Sequence, residues 1–342
     1  MINKAIKLVL PLLAALLLTL SSGVFAYDYE KDTIAGSEIA QIEVAVPSAP
    51  PGQSVSNPDD EYVDKQWALS RIQALDAWQV TSGRQDILVA VLDTGIDRNH
   101  EDLDGQIIAE ANFTDGSSPN DIHGHGTHVA GIIAAKKNGT GIVGVAPESQ
   151  LMNAKIADDR GRCRASAVAE GIVWAVDGGA NVINISVEFR EPSPQLEKAV
   201  NYAWSQGTLI VVAAGNDGSE SPVYPAYYEN CIAVAATNQN DHLALLSNHG
   251  DWIDVAAPGW DIYSTLPDNE YGYKSGTSFA CPYVSGMAAL LFNVVTDTNG
   301  NGRLNDEVRA AIEAGCQEID VTGVGRGRID VTKAMDKVNY GS

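Results

Sequence analysis

Positive charge is what this sequence has least of. Its 342 residues carry 22 Lys and Arg against 44 Asp and Glu, a net charge of −22 with a pI near 4.5. Binding along a phosphate backbone needs a basic footprint, so a nucleic-acid partner is excluded. Cysteine is scarce too, with only Cys163, Cys231, Cys281 and Cys316. Their wide spacing fits no zinc motif and leaves open two disulfides in any of three pairings, or buried free thiols. There is no internal repeat, and only one long apolar run, close to the N-terminus. With 45% hydrophobic and 19% charged residues, the composition excludes collagen, coiled coil and wholesale disorder. What remains is a globular protein whose many carboxylates suit hard cations such as calcium. Its length gives a prior of roughly two domains at about 150 residues each, although α/β folds often exceed that as one unit.

Residues 1–26 read as a secretory signal peptide. Lys4 and Lys7 supply the positive start, Leu8 to Leu20 the apolar stretch, and Val24-Phe25-Ala26 the small-residue cleavage site. The apolar run is short for a span of roughly 20 residues and no second span follows, so the expectation is export with no membrane attachment after cleavage. The address is then extracellular or periplasmic. Residues 27–60 are polar and Pro-rich, as in Pro47-Ser48-Ala49-Pro50-Pro51-Gly52, and read as a linker or short pro-segment.

Residues 61–342 read as one catalytic or binding domain. Apolar strand-like runs at 87–92, 151–156, 181–187, 208–214, 231–236 and 252–257 alternate with helical patterns at 128–135, 165–178, 195–206 and 279–295. Strands apolar on both faces belong in a covered parallel sheet. The predicted fold is therefore α/β, a three-layer doubly wound domain with a mostly parallel central sheet.

Four places carry chemistry. Val89-Ala90-Val91-Leu92-Asp93-Thr94-Gly95 puts a carboxylate at the end of a buried strand, a common turn acid or a site residue at the sheet's carboxyl edge. His123-Gly124-His125-Gly126-Thr127-His128 reads as a histidine metal cluster or as one exposed imidazole at a helix start. Ala213-Ala214-Gly215-Asn216 ends an apolar strand in a carboxamide, either a turn former or a donor for developing negative charge. Ser275-Gly276-Thr277-Ser278 opens the longest apolar helix, giving either a plain N-cap or a hydroxyl among backbone N–H donors, and Pro282 is expected in that helix's first turn. Taken together they supply a nucleophile, a base, an orienting acid and oxyanion donors, the set that acyl transfer needs.

Asp93-Thr94-Gly95, His125-Gly126-Thr127-His128-Val129-Ala130-Gly131 and Gly276-Thr277-Ser278 resemble, in type, order and spacing, the motifs of the subtilisin-like serine proteases. Ala199-Val200-Asn201-Tyr202-Ala203-Trp204 and Tyr224-Pro225-Ala226-Tyr227-Tyr228 extend the resemblance, which covers residues 66–334. It implies a serine endopeptidase acting on protein or peptide substrates, expected as a monomer. Ser278 is then the nucleophile, His125 the base, Asp93 its orienting acid, and Asn216 with the Ser278 N–H the oxyanion hole. Substrate is implied to lie as a strand between Ser186-Val187-Glu188 and the segment near Arg164-Ala165-Ser166, with Ala213, Gly215 and Val223 at the main pocket. Those small or apolar residues point to hydrophobic substrate side chains.

The chain departs from the family where Glu188 and Phe189 stand in place of two glycines. Glu188 suggests a basic residue near the cleavage point, against a carboxylate merely turned to solvent. Phe279 replaces the methionine usual after the nucleophile, which removes one oxidation-sensitive thioether. The resemblance also implies a calcium site of Asp59, Asp102 and Asn138 with the carbonyls of Lys136, Thr140 and Ile142. A second calcium loop is expected at 297–308, with Asp297, Asn299, Asn301 and Arg303 as ligands and Val308 where an EF-hand-like loop has its last acid. The rival readings are a catalytically silent binding protein with an occluded cleft and a histidine-cluster metalloenzyme.

Overall fold

The computed structural model describes residues 58–338. The predicted signal segment, and residues 27–57 of the predicted linker, lie outside the described residues.

The apolar runs form strands β1 (Leu88–Asp93), β2 (Ile107–Asn112), β3 (Gln150–Lys155), β4 (Val182–Ile185), β5 (Leu209–Ala213), β6 (Cys231–Thr237) and β7 (Val255–Pro258). They build one sheet in the order β2-β3-β1-β4-β5-β6-β7, with every neighbouring pair parallel. A separate antiparallel hairpin pairs β8 (Ile262–Leu266) with β9 (Glu270–Lys274). The helices are α1 (Trp67–Arg71), α2 (Ala74–Ala77), α3 (His125–Ala134), α4 (Ala165–Asp177), α5 (Pro194–Ser205), α6 (Thr277–Phe292), α7 (Asn305–Ala314) and α8 (Val331–Asp336).

Side-chain alternation explains why the strands are apolar throughout. Val89 and Val91 of β1, with Leu209 and Val211 of β5, join one core cluster under α3 and α6. Ala90 and Leu92, with Ile210 and Val212, join a second cluster under α4 and α5. A strand covered on both faces has no polar side to show. The same reasoning accounts for α6, which is buried at all sixteen positions because it runs through the first cluster. The architecture is thus three layers around a parallel sheet, with β1 where the strand order reverses. Sites in such sheets form at the carboxyl ends next to that reversal.

Three expectations change. β2 and the β8–β9 hairpin were not predicted, because β2 is a half-exposed edge and β9 is largely exposed, so neither shows a long apolar run. α3 starts at His125, three residues early, since Asp121 accepts the Thr127 N–H at 2.9 Å and caps a turn that its glycines disguise. Pro282 is the sixth residue of α6, beyond the first turn where it was expected. The lost backbone bond is replaced: the Ser278 carbonyl, left without the residue-282 N–H, accepts the Ser186 hydroxyl at 3.1 Å. The four cysteines are all free thiols.

Gly286 lets α6 lie against the segment after α3, because a Cβ there would stand 2.6 Å from Val145 Cβ. Alanine gains about 1 kcal/mol of helix propensity over glycine, but overpacking costs about 1–3 kcal/mol. Gly286→Ala should therefore lower the midpoint of urea unfolding, and a raised midpoint would show that the contact relaxes freely.

Candidate active site

β1 delivers Asp93 to the carboxyl edge of the sheet as a buried carboxylate. Its Oδ1 accepts the His125 Nδ1–H at 2.7 Å and the Thr94 N–H at 2.7 Å. His125 is the first residue of α3, so two sequence-distant elements meet in one hydrogen bond. Gly126 permits this approach, since a Cβ there would run into the Gly95 carbonyl and stand 3.0 Å from Asp93 Cβ.

A second buried carboxylate locks the junction. Asp121 Oδ1 accepts from the Thr94 hydroxyl (2.9 Å) and from the His123 and Gly124 N–H groups (3.0 and 2.8 Å). Its Oδ2 accepts from the N–H and hydroxyl of Thr127 (2.9 and 2.7 Å). The Thr94 hydroxyl in turn accepts the Gly126 N–H at 3.0 Å. Asp121 and Thr94 are positioning residues that motif reasoning missed. The available signal was an acid four residues before the histidine, but its bond to Thr94, from a distant strand end, is set by the fold.

Burial pulls the His125 pKa down, yet the charge and hydrogen bond of Asp93 outweigh it, and the net shift is upward. Lys274 opposes that rise from β9, where its ammonium donates to the Gly124 carbonyl at 2.9 Å. The other two histidines are differently placed. His128 is buried with Nε2 against the Gly272 carbonyl (3.1 Å), and burial pulls its pKa down to about 3. His123 sits with its ring centroid 6.2 Å from that of His125. Among the described residues no group of three His, Cys, Asp or Glu is arranged to hold a metal.

Ser278 lies in the first turn of α6, where backbone N–H groups have no intrahelical acceptor. Phe279, the next residue, contacts the His125 ring at a centroid distance of 5.2 Å, so the first turn of α6 abuts the imidazole. In this conformation the Ser278 hydroxyl donates to the Ser186 carbonyl at 3.5 Å. Such unliganded sites commonly tighten only around substrate. Asn216 follows β5, and its Oδ1 accepts the N–H and hydroxyl of Thr277 (2.8 and 3.1 Å). Holding Oδ1 on one side turns Nδ2 to the other as a fixed donor. Cys281 is wholly buried, with its thiol on Asn184 Oδ1 at 3.2 Å.

The sequence model of the Subtilase family matches residues 84–317. The chain is 43% identical over 283 residues to thermitase of Thermoactinomyces vulgaris, covering 81% of this chain and 99% of that protein. The chain belongs to the subtilase family, the subtilisin-like serine proteases. It is also 46% identical over 267 residues to the thermophilic serine proteinase of Bacillus sp. (strain AK1), over 78% of this chain and 65% of that protein. Subtilisin BL of Lederbergia lenta is 45% identical over 226 residues, 66% of this chain and 83% of its own.

In this subtilase the predicted pocket residues divide by exposure. Ser186, Ala213, Gly215 and Val223 are buried, Val187 is partly buried, and Glu188 is exposed at its edge. Phe189 pairs with Tyr224 through reciprocal backbone bonds of 2.7 and 2.8 Å, which ties the 186–189 segment to the wall holding Val223.

The predicted calcium residues gather around the loop after α3, with one change. Asp102 is fully buried, and its Oδ2 accepts from the Ile142 N–H and the Tyr271 hydroxyl, both at 2.9 Å. Asn138 Nδ2 reaches Asp102 Oδ1 at 3.3 Å. Lys136 and Thr140 are partly buried on the same loop. Asp59, however, is exposed, and the buried carboxylate is Asp60. Its Oδ1 accepts the Asn138 and Gly139 N–H groups at 2.9 Å, while its Oδ2 is buried without a partner. Adjacent aspartates cannot be told apart by type, and only the turn of the backbone selects one.

In the second loop Asp297 Oδ1 and Oδ2 accept the Gly300 and Gly302 N–H groups at 2.7 and 2.8 Å. Asn299 and Asn301 donate to Asp306 Oδ2 (2.6 and 2.9 Å), and the Arg303 side chain leaves for the Ser205 carbonyl at 2.9 Å. Val308 is in the core, and the carboxylates facing the loop are those of Asp306 and Glu307 in the first turn of α7.

A histidine acting as base must be neutral to accept a proton, and the His125 pKa is shifted upward. The acid limb of kcat/KM should thus be centred above about 6.5, the ordinary imidazole value. Asp93→Asn removes the stabilising charge, so it should move that limb down and cut kcat by about 10⁴-fold. A limb unmoved in Asp93→Asn would show that another group sets it.

Proposed function

We propose that this chain is a secreted, calcium-stabilised serine endopeptidase that hydrolyses peptide bonds through an acyl-enzyme. The observation that carries the reading is the 2.7 Å Asp93–His125 hydrogen bond at the head of α3, beside the first turn of α6 that presents Ser278. Rotation of the Ser278 hydroxyl toward His125 lets Nε2 take its proton as Oγ attacks the peptide carbonyl. Asn216 Nδ2 and the Ser278 N–H stabilise the oxyanion that forms. The protonated imidazole then gives its proton to the leaving amine, and water repeats the sequence to free the acid. The peptide backbone adds as a strand along 186–188, facing the segment 164–166 where α4 begins. Secretion rests on the leader-like pattern of residues 1–26. No described helix is long and apolar enough to cross a membrane. The protease acts as a monomer on protein or peptide substrates.

Calcium fits the loop after α3. Burial raises the Asp102 carboxyl, although the Ile142 N–H and Tyr271 hydroxyl oppose this, and the unpartnered Asp60 Oδ2 lacks a counter-charge of its own. Two buried carboxylates with Asn138 and the carbonyls of Lys136, Thr140 and Ile142 make an all-oxygen donor set suited to a hard cation. A bound cation there cross-links the chain before α1 to the loop that follows α3 and so stabilises the fold. A second calcium at 297–308 is supported by buried, unpartnered oxygens on Asp306 and Glu307.

A serine-directed fluorophosphonate should label Ser278 in the presence of calcium, and His125→Ala should abolish labelling. Absence of label on folded protein would favour the silent binding protein. Asn216→Ala should lower kcat by about 10²–10³-fold, with a smaller change in KM. An unchanged kcat would remove Asn216 from the oxyanion hole.

Chelation should lower the unfolding temperature, as expected when a ligand held only by the folded state is withdrawn. Asp60→Asn should blunt that shift and Asp59→Asn should leave it. The reverse pattern would restore Asp59 as the ligand.

A further inference from the structure

Glu188 carries a carboxylate that forms no ion pair among the described residues. It stands three residues past β4, in the segment whose Ser186 hydroxyl donates to the Ser278 carbonyl. Its side chain crosses to the end of the neighbouring strand, where Oε2 lies 2.2 Å from the place a Cβ on Gly215 would stand. The next residue is Asn216, the proposed oxyanion donor. Gly215 is held at φ +98°, and its missing side chain leaves the carboxylate its place.

The local charges do not cancel. Arg190 is committed to Asp217 through a 2.9 Å ion pair, and Glu188 forms no ion pair among the described residues. The residue as a whole is exposed, but partial desolvation of its carboxyl pushes its pKa up and the charge of Asp217 pushes it further, with the Asn216 N–H and Arg190 acting the other way. One negative charge is left over beside the position of the attacked carbonyl.

Asn216 and Ser278 fix that carbonyl, so the side chain of the same substrate residue enters between segment 186–188 and the 213–215 strand end. Buried, apolar Val223 lies next to Tyr224, whose backbone pairs with Phe189 of the first segment. An apolar wall with a single carboxylate suits an aliphatic stem that ends in a cation. A leucine or phenylalanine guest would further desolvate Glu188 and leave it unpaired, which is the costly outcome for a charge. We infer that Glu188 makes this enzyme select Lys or Arg at the residue whose carbonyl Ser278 attacks. Of the two expectations drawn from the sequence, this reading takes up the basic residue near the cleavage point. The inference rests on the endopeptidase reading above.

The test is kcat/KM for peptides that differ only at this residue, carrying Arg, Lys, Leu, Phe or Glu. Wild type and Glu188→Gln are compared, with active-site concentration set by fluorophosphonate titration. Arg and Lys should exceed Leu by about 10-fold or more in wild type, and Glu188→Gln should reduce that ratio by about 10-fold. Glu188→Arg that still titrates should favour Glu instead. A titratable enzyme that prefers Leu or Phe, with ratios unchanged in Glu188→Gln, overturns the inference. Failure of wild type to titrate overturns the endopeptidase reading itself, which is a different result.

Discussion

The hydrogen bond between Asp93 and His125 is the contact on which the rest of the site depends. A carboxylate at the end of a fully covered strand has few ways to hold its charge. Asp93 Oδ2 is buried without a partner, so Oδ1 carries the neutralising contacts with His125 and Thr94. That arrangement requires α3 to begin at the end of β1. Glycine at 126 provides the room, and Asp121 gathers the turn, the helix start and Thr94 into one network.

The sheet turns this local contact into a site. Because all seven strands run parallel, β1, β4 and β5 expose their carboxyl ends on one edge. Asp93, Ser186 and Asn216 therefore arrive at a common edge from three separate stretches of chain. α6 closes the arrangement from the opposite direction. Its burial at every position leaves Ser278 little freedom to drift, and Pro282 frees the Ser278 carbonyl for Ser186. A residue that first reads as a tolerated interruption thus ties the first turn of α6 to the segment after β4.

Electrostatics follow a similar division between satisfied and unsatisfied groups. Asp121 is buried with both oxygens bonded and serves as a fixed brace. Asp60, Asp306 and Glu307 each keep a buried oxygen without a partner, and Glu188 keeps a charge without a counter-ion. These open valences lie at three places: the loop after α3, the loop before α7, and the end of β5 beside Gly215.

The sequence alone determined the fold class, the six principal apolar strands and the motifs carrying Asp93, His125, Asn216 and Ser278. Apolar runs report burial on both faces directly, and short motifs hold their spacing within a single turn. Edge strand β2 and the β8–β9 hairpin escaped because half-exposed strands lack that signal. Only tertiary structure buried Asp60 and left Asp59 exposed, since neighbouring aspartates differ solely in which one the backbone turns inward. It also turned the Asp306 and Glu307 carboxylates toward the loop before α7, made Asp121 a brace, and laid Glu188 against Gly215. Those assignments depend on which distant segments share a few ångströms of space, and one-dimensional spacing does not record that.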